Sequence, residues 1–480
     1  MSKIRNKDRT PFDFQDGLKI KGKLLSDSNG ADEIGVNDGN TGSLFTTLNG
    51  FLTKLKSTVG AALIGFKQAG TGAVTRTVED KLNESVSVKD FGAKGDGITD
   101  DGPAFNLALA ISQSVSVPPG NYLIKTQIVS DTAGSLYGTG GVTPFTVTAP
   151  GPRLIYHPDL GTSPMLWIKE SKVLSNLGFS GPEKGTGIAI RNRKDIGIGV
   201  TYEDMDVTIQ GCYFESWQTA VEHYNRGLTL LQNNVALVGY GVNLFWDDAN
   251  FVDDTGNQFD TKTQGFRAIR IENNRFHANN VAINNTGADA LYLRGLKVLG
   301  NHIDIGDQLF NGGLYSGVFC GNVIDQTSAS LGAIQITSAT QEVVISGNQI
   351  NGDLIQGIPT QLIGFSSSAK EVTITGNSLK NASAYGISFG GAVVGATISG
   401  NTISEVGTAG NTTRACIRFI STANDVAING NYFNPTTDAY CIRGSTGLAW
   451  SGVTIQGNTW NRSRILSGAY SDSGNNSIQT

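Results

Sequence analysis

Cysteine is scarce in this chain. Four occur in 480 residues, at 212, 320, 416 and 441. None has Cys-x-x-Cys spacing, which excludes a disulfide framework and a zinc knuckle. Cys416 and Cys441 align one repeat apart, and synthesis in a reducing compartment favours free thiols there. Histidine is as rare. His157, His223, His277 and His302 share no column of the repeat described below, so no metal site is expected, and His223 beside Glu222 reads as structural. No cofactor is expected either. Positive charge is not in excess: the formal net charge is −5, which leaves no electrostatic footprint for nucleic acid or an anionic membrane. No run approaches the roughly 18 apolar residues of a membrane span. The opening MSKIRNKDRTPFDF lacks the apolar core of a secretory signal, so the expectation is a protein made in the cytoplasm. Charged residues are 16% and apolar residues 39%, which is not a disordered composition.

Glycine and asparagine are abundant, and they recur in a rhythm. VTITGNSLKN, ATISGNTISE, VAINGNYFNP and VTIQGNTWNR share one pattern. Aligned on the turn residue, ten positions emerge: Cys212, Asn234, Asn274, Asn301, Asn322, Asn348, Asn377, Asn401, Asn431 and Asn458. Eight follow Gly, which tolerates left-handed backbone angles. Three residues upstream the side chain is always apolar, for example Leu231, Ile345 and Ile374, and two residues downstream it is apolar again, for example Ala236, Ile350 and Leu379. This is a period-two strand, a kink and a second inward residue.

The spacings run 22, 40, 27, 21, 26, 29, 24, 30 and 27. Propeller blades need about 40–45 residues each, and helical repeats need a 3.6 period. A second strand recurs in each unit: TAVEHY, YGVNLF, VAINN, GAIQIT, YGISF, ACIRF and YCIRG. The predicted fold is all-β, a parallel β-helix whose coils stack about 4.8 Å apart around an aliphatic bore. Strands must keep register, whereas solvent-facing loops vary, which accounts for uneven spacing. An Asn ladder can hydrogen-bond along the stack, and the Asn, Ile and Phe rows are scaffold.

Residues 85–124 read as the start of that rod. Asp100 and Asp101 can cap a helix with Pro103 in its first turn and Ala104, Leu107, Ala108 and Ile111 on its apolar face. The stretch DFGAKGDGITDD followed by VPPGNYLI resembles the N-terminal cap of the pectate-lyase-like superfamily of right-handed β-helices. The segment IGFKQAGTGAVTRTVEDKLNESVSVKDFGA (64–93) resembles the junction between virion-anchoring head and β-helix in bacteriophage tailspikes and capsule depolymerases. The likeness covers about 64–140, and the coils extend it to about 465.

The expected organisation is a virion-attachment neck at 1–84, a cap with first strands at 85–140, a β-helix with the receptor groove at 141–465 and a tail at 466–480. Leu44, Leu48, Phe51, Leu55 and Val59 suit an amphipathic helix with an oligomer seam. The resemblance implies a homotrimer joined to phage tail, baseplate or adaptor proteins through its N-terminus. It implies assembly in the host cytoplasm and action from the virion at the bacterial surface, without membrane insertion. After Trp460 only NRSRILSGAYSDSGNNSIQT remains, where many tailspikes add a C-terminal trimerisation or carbohydrate-binding domain.

Chemistry is expected in residues 201–260. This window holds ten carboxylates against Arg226 alone, a net −9. Glycoside hydrolysis needs one protonated acid for the leaving oxygen and one carboxylate as nucleophile or base. Crowded carboxylates raise one another's pKa. Aligning AVEHYNR on GVNLFWD puts Glu222 beside Asn243, with Arg226 and Asp247 just beyond. The predicted pair is Glu222 with Asp247 or Asp248, with Glu215 in reserve. Arg226 and Arg270 would bind substrate hydroxyls or acidic substituents, and Trp217, Tyr224 and Trp246 would carry sugar rings. The competing reading of the acidic loop is a solubilising surface or a Ca²⁺ site, but DDANFVDD lacks EF-hand spacing. Three functions follow: hydrolysis of a bacterial surface polysaccharide (O-antigen or capsule), elimination from a uronate-containing polysaccharide, or receptor binding without cleavage. The −9 window repels a uronate, which ranks the lyase lower.

Overall fold

A computed structural model describes residues 18–20, 23–25, 44–141, 151–183, 185–193, 206–224, 227–245, 268–277, 279–285, 293–304, 306–327, 332–352, 358–407, 414–436, 439–445, 450–461 and 470–471. The chain divides into two compact units, Met1–Ser85 and Val86–Thr480.

The first unit holds an antiparallel pair, Leu18–Ile20 with Lys23–Leu25, and a helix, Leu44–Leu55. A hairpin, Gly65–Lys67 with Thr75–Thr77, leads into a short helix, Val78–Leu82, closed by a Thr77–Asp80 capping box. The first helix stops four residues before Val59, so the predicted seam loses its last member. A Cβ on Gly60 would lie 2.0 Å from the Leu55 carbonyl oxygen, so the chain turns there on a residue without one. Phe51 and Leu52 are exposed on the described part of the helix.

The second unit is a right-handed parallel β-helix. One strand per coil joins a 14-stranded sheet and two join a 27-stranded sheet, with a five-stranded sheet along the later coils. One inward row of the 14-stranded sheet runs Leu174, Ile209, Leu230, Ile271, Val298, Phe319, Ile345 and Ile374 in register. The row after the kink runs Phe179, Phe214, Val235, Phe276, Ile303, Ile324 and Ile350. All are buried. Apolar burial on this scale, about 25 cal/mol per Å², is what orders the coils.

Between these rows stands the Asn ladder. From Asn274 onward each amide oxygen accepts from the backbone N–H and the side-chain amide of the residue one coil earlier, as Asn377 does from Asn348. Each amide also donates to a carbonyl of an earlier strand, as Asn377 does to Ile345. The residue before each Asn is left-handed: Gly at most coils, but Gln232 (φ 54°) and Asn273 (φ 55°) at two. The ladder position is Asn233, not Asn234. Asn233 accepts from Cys212 and donates to Asn274, whereas Asn234 is exposed. Leu230 and Val235 therefore point inward where Leu231 and Ala236 were expected. A one-residue slip moves every side chain to the other face, and the doublet Asn233-Asn234 carries no Gly to mark the kink.

At the start of the rod, the helix Gly102–Ile111 buries Ala104, Phe105, Ala108 and Leu109. Phe105 meets Tyr122 edge-on at 5.4 Å. Leu107 and Ile111, expected inward, are 56% and 72% exposed. Asp100 accepts from the N–H groups of Gly102, Lys125 and Thr126. Asp101 turns instead to Lys94 and Gly95. At the other end Tyr470–Ser471 pairs with Tyr440–Gly444, so stacking continues past residue 465. Cys416 and Cys441 face one another across adjacent coils as buried free thiols. Burial pushes the Cys441 thiol up to about 12.

Lys172 breaks the apolar rule. It lies in register between Gly134 and Val207, 1% exposed, and its Nζ has no hydrogen-bond partner among the described residues. Burial lowers its pKa from 10.5 to about 8. The unfolded chain holds that proton up to the ordinary value, while the folded chain releases it near 8. Stability therefore rises between those two pH values, and below the lower one the full cost stands. Lys172→Met is expected to stabilise the rod by about 1–3 kcal/mol at neutral pH. Denaturant midpoints across pH check this: the gain should shrink as pH rises through that interval.

Candidate functional site

Two outward rows of the 27-stranded sheet carry the polar chemistry. The first runs Trp167, Arg191, Glu222, Asn243 and Asn284 on successive coils. Glu222 stands beside Asn243 as the alignment predicted. Its carboxylate accepts from Arg191 Nε at 2.7 Å, with the Glu222 side chain 9% exposed. A charge-assisted bond of that kind contributes about 1.5–3 kcal/mol. Asn284 Nδ2 donates to Asn243 Oδ1 at 2.8 Å. Trp167 is half-buried, donates its indole N–H to the Arg193 carbonyl and lies under Lys169 Nζ at 4.5 Å. Tyr224 stacks on Phe245 at 5.1 Å and receives Arg193 on its ring.

Asp247, Asp248, Arg226 and Trp246 lie outside the described residues. Trp246, Asp247 and Asp248 follow Phe245, whose N–H donates to the His223 carbonyl one coil away, and Arg226 follows Tyr224 by two residues. Trp217 is not a sugar platform: it is fully buried, donates to the Phe179 carbonyl and packs edge-on against Tyr156. It follows Ser216, whose positive φ turns the corner between two strands, and strand alternation does not carry through such a corner. Arg270 does not join the Glu222 row. It sits on the 14-stranded sheet between Thr229 and Lys297, paired with Glu272 at 2.8 Å. His223 is buried, 3.1 Å from Asn192.

The second row lies on the strands just after the kink. Glu215 stands there between Ser180 and Ala236, and His277 follows Ala236. Burial raises the Glu215 pKa, and Arg153 opposes the rise. Next come Arg275, His302, Asp304 and Asp325. Arg275 Nε donates to Asp304 Oδ2 at 2.6 Å, and His277 Nδ1 is 3.4 Å from the same oxygen. His302 Nε2 lies 3.1 Å from Asp304 Oδ1 and 3.2 Å from Asp325 Oδ2. His277 and His302 stand in different columns, as expected, yet both meet at Asp304. The sequence reading missed this cluster because it read the strands after the kink only for their inward residues. It missed Arg191 because residues 187–193 lack the Gly-Asn mark, although Ile188, Ile190 and Arg191 match Thr219, Val221 and Glu222 in register. Among the described residues, no group of three or more His, Cys, Asp or Glu is arranged to hold a metal.

Gly386-Ile387-Ser388-Phe389-Gly390 spells Gly-x-Ser-x-Gly, but it includes the straight strand Tyr385–Phe389, with Ser388 in register between Gly364 and Arg418. No strand-to-helix elbow presents that hydroxyl.

Residues 85–306 match the family described as rhamnogalacturonase A/epimerase, pectate lyase-like. The tail spike protein of an Escherichia phage is 43% identical over 68 residues, 14% of this chain and 8% of that protein. The tail spike protein of Shigella phage Sf6 is 41% identical over 90 residues, 18% and 14% of the two chains. The matches thus span under a fifth of these relatives. The solved structure of tailspike protein 3 of bacteriophage CBA120 superposes with a TM-score of 0.52 at 16% identity, covering 95% of this chain and 73% of that one. At that identity the likeness is one of fold.

Proposed function

We propose, from the premise that this chain is a right-handed β-helix of the phage-tailspike type, that it binds and hydrolyses a bacterial surface polysaccharide, O-antigen or capsule. The observation that carries this reading is the Glu222 carboxylate, almost enclosed and fixed against the Arg191 guanidinium on the floor of a polar outward row. A carboxylate held in place beside a cation is what a nucleophile or water-activating base requires. Its protonated partner is Asp247 or Asp248. Glu215, whose burial favours the protonated form, is the reserve acid.

Sugar rings bind with their apolar faces on aromatic side chains. Trp167 takes the part assigned to Trp217, Tyr224 and Trp246 are the further platforms in this reading, and Arg226 would bind substrate hydroxyls. Trp167→Ala is expected to weaken binding by about 1–2 kcal/mol, roughly five- to thirtyfold, read by titration with the intact polymer. The chain would act as a homotrimer, with apolar residues such as Phe51 and Leu52 near the three-fold seam. Residues 1–84 would join it to phage tail, baseplate or adaptor proteins, so that it works from the virion at the cell surface.

The test is incubation with capsule and lipopolysaccharide fractions from a panel of bacterial strains. New reducing ends without ultraviolet-absorbing unsaturated sugar support hydrolysis. Both signals together would make the protein a lyase, and neither, with binding retained, an adhesin.

A further inference from the structure

We infer that Asp304 and Asp325, joined through His302, form a second carboxylate pair competent to cleave a glycosidic bond. The inference rests on reading the chain as a polysaccharide hydrolase, and it assigns chemistry to residues outside the acidic window. Three observations carry it. First, both carboxylates contact one nitrogen, His302 Nε2, at 3.1 and 3.2 Å. Their facing oxygens are thus within about 6 Å, near the spacing of carboxyls that act directly on one anomeric carbon.

Second, the two carboxylates are not equivalent. Asp304 is 15% exposed, accepts from Arg275 and lies 3.1 Å from His302, while Asp325 is 41% exposed and lies 3.2 Å from the same His302 nitrogen. One carboxylate set against a guanidinium and one open to solvent beside an imidazole is the asymmetry of surroundings that acid–nucleophile chemistry needs. Third, Arg275, His277 and His302 are each about half exposed around the more deeply set Asp304, so the centre is open to a polymer lying along the rod.

The step balances without an added reagent. An Asp304 oxygen bonds to the anomeric carbon as that carbon's bond to the glycosidic oxygen breaks. The proton on Asp325 passes, directly or through His302, to the departing oxygen. Water then adds its oxygen to the anomeric carbon, the Asp304 ester breaks, and a proton from the water returns to Asp325. One water is consumed and the anomeric configuration is retained.

The experiment uses the full chain, the same panel of polysaccharide fractions and a reducing-end assay. Asp325→Asn is the primary variant, because that side chain is 41% exposed and its loss leaves no buried charge. Asp304→Asn is the second, with circular dichroism to show that it folds. Each is made in the wild-type chain and in a Glu222→Gln chain, so that cleavage at either row is read separately. The expected result is a fall of at least tenfold on Asp325→Asn in one of the two backgrounds, with binding of the intact polymer unchanged, and retained configuration by proton NMR. His302→Gln should cost less and alter the pH profile. Cleavage at full rate in all Asp304 and Asp325 variants would overturn the pair while leaving the hydrolase reading in place. Inverted product from an Asp325-dependent reaction would overturn the assignment of Asp304 as nucleophile. A wild-type chain that binds the polysaccharides but cleaves none would overturn both readings.

Discussion

Polysaccharide cleavage is expected to fall about 10²- to 10⁴-fold when Glu222 is replaced by glutamine in a chain that also carries Asp325→Asn. Binding of the intact polymer stays within about threefold. The amide has the shape of the carboxylate but can neither accept a proton from water nor attack carbon. Its oxygen can still accept from Arg191 Nε, so the local geometry survives and the folding cost is about 1–2 kcal/mol. The half-buried Arg191 then faces a neutral partner, which Glu222→Ala would make worse by removing the acceptor altogether. The measurement is single-turnover release of reducing ends, with affinity for the uncut polymer measured separately. Such a split between rate and binding marks a group acting in the transition state. Equal losses in both would make Glu222 a binding or packing residue. Undiminished cleavage would exclude it from the chemistry.

Asn377→Ala is expected to destabilise the rod by about 2–4 kcal/mol. Asn377 is 1% exposed, and its side chain serves two neighbouring coils. Its oxygen accepts from the backbone and side-chain amides of Asn348, and its Nδ2 donates to the Ile345 carbonyl and to Asn401 Oδ1. Alanine leaves the Asn348 N–H and the Ile345 carbonyl buried without these partners, and no side chain on the same strand replaces them. The matched control is Asn234→Ala. That residue resembles a ladder position in sequence but is exposed, so its loss should change stability by no more than about 0.5 kcal/mol. Denaturant midpoints for the two variants, with unfolding rates where refolding fails, decide the point. Equal costs would mean that the ladder runs through Asn234 and that Val235 and Leu230 have been assigned to the wrong face.

How far the chain was legible depended on what each residue has to satisfy. A strand stacked in a rod must bury every second side chain, and its kink must accept a left-handed residue. These demands repeat at each coil, so Gly376-Asn377 and Gly400-Asn401 are plain in the sequence. The reading failed where a coil met the same demand by other means. Gln232 takes the left-handed angle without glycine, and the slip that followed misplaced Leu231 and Ala236. On the capping helix, the heptad-like choice of Leu107 and Ile111 lost to Phe105 and Leu109, because Phe105 packs against Tyr122. Spacing along the helix ranks candidate faces, but the surface below it selects one.

The candidate site was legible in part for the same reason. Glu222 beside Asn243 followed from aligning two strands of equal length. Its tie to Arg191 needed the coil below, where no Gly-Asn mark fixed the register. Trp217 was misread because a corner, not a strand, sets its direction. Asp304 and Asp325 were passed over because 20 residues separate them along the chain and only stacking brings both to His302.

What the sequence determined by itself was periodic: the rod, its apolar bore, the Asn ladder and the place where its first helix begins. Those properties are local requirements repeated in every coil, so a single chain states them many times over. Which outward side chains become neighbours was decided only by tertiary structure. Stacking brings residues far apart along the chain to within hydrogen-bond reach, and the kinks and corners, such as Gln232 and Ser216, set the register at which one coil meets the next.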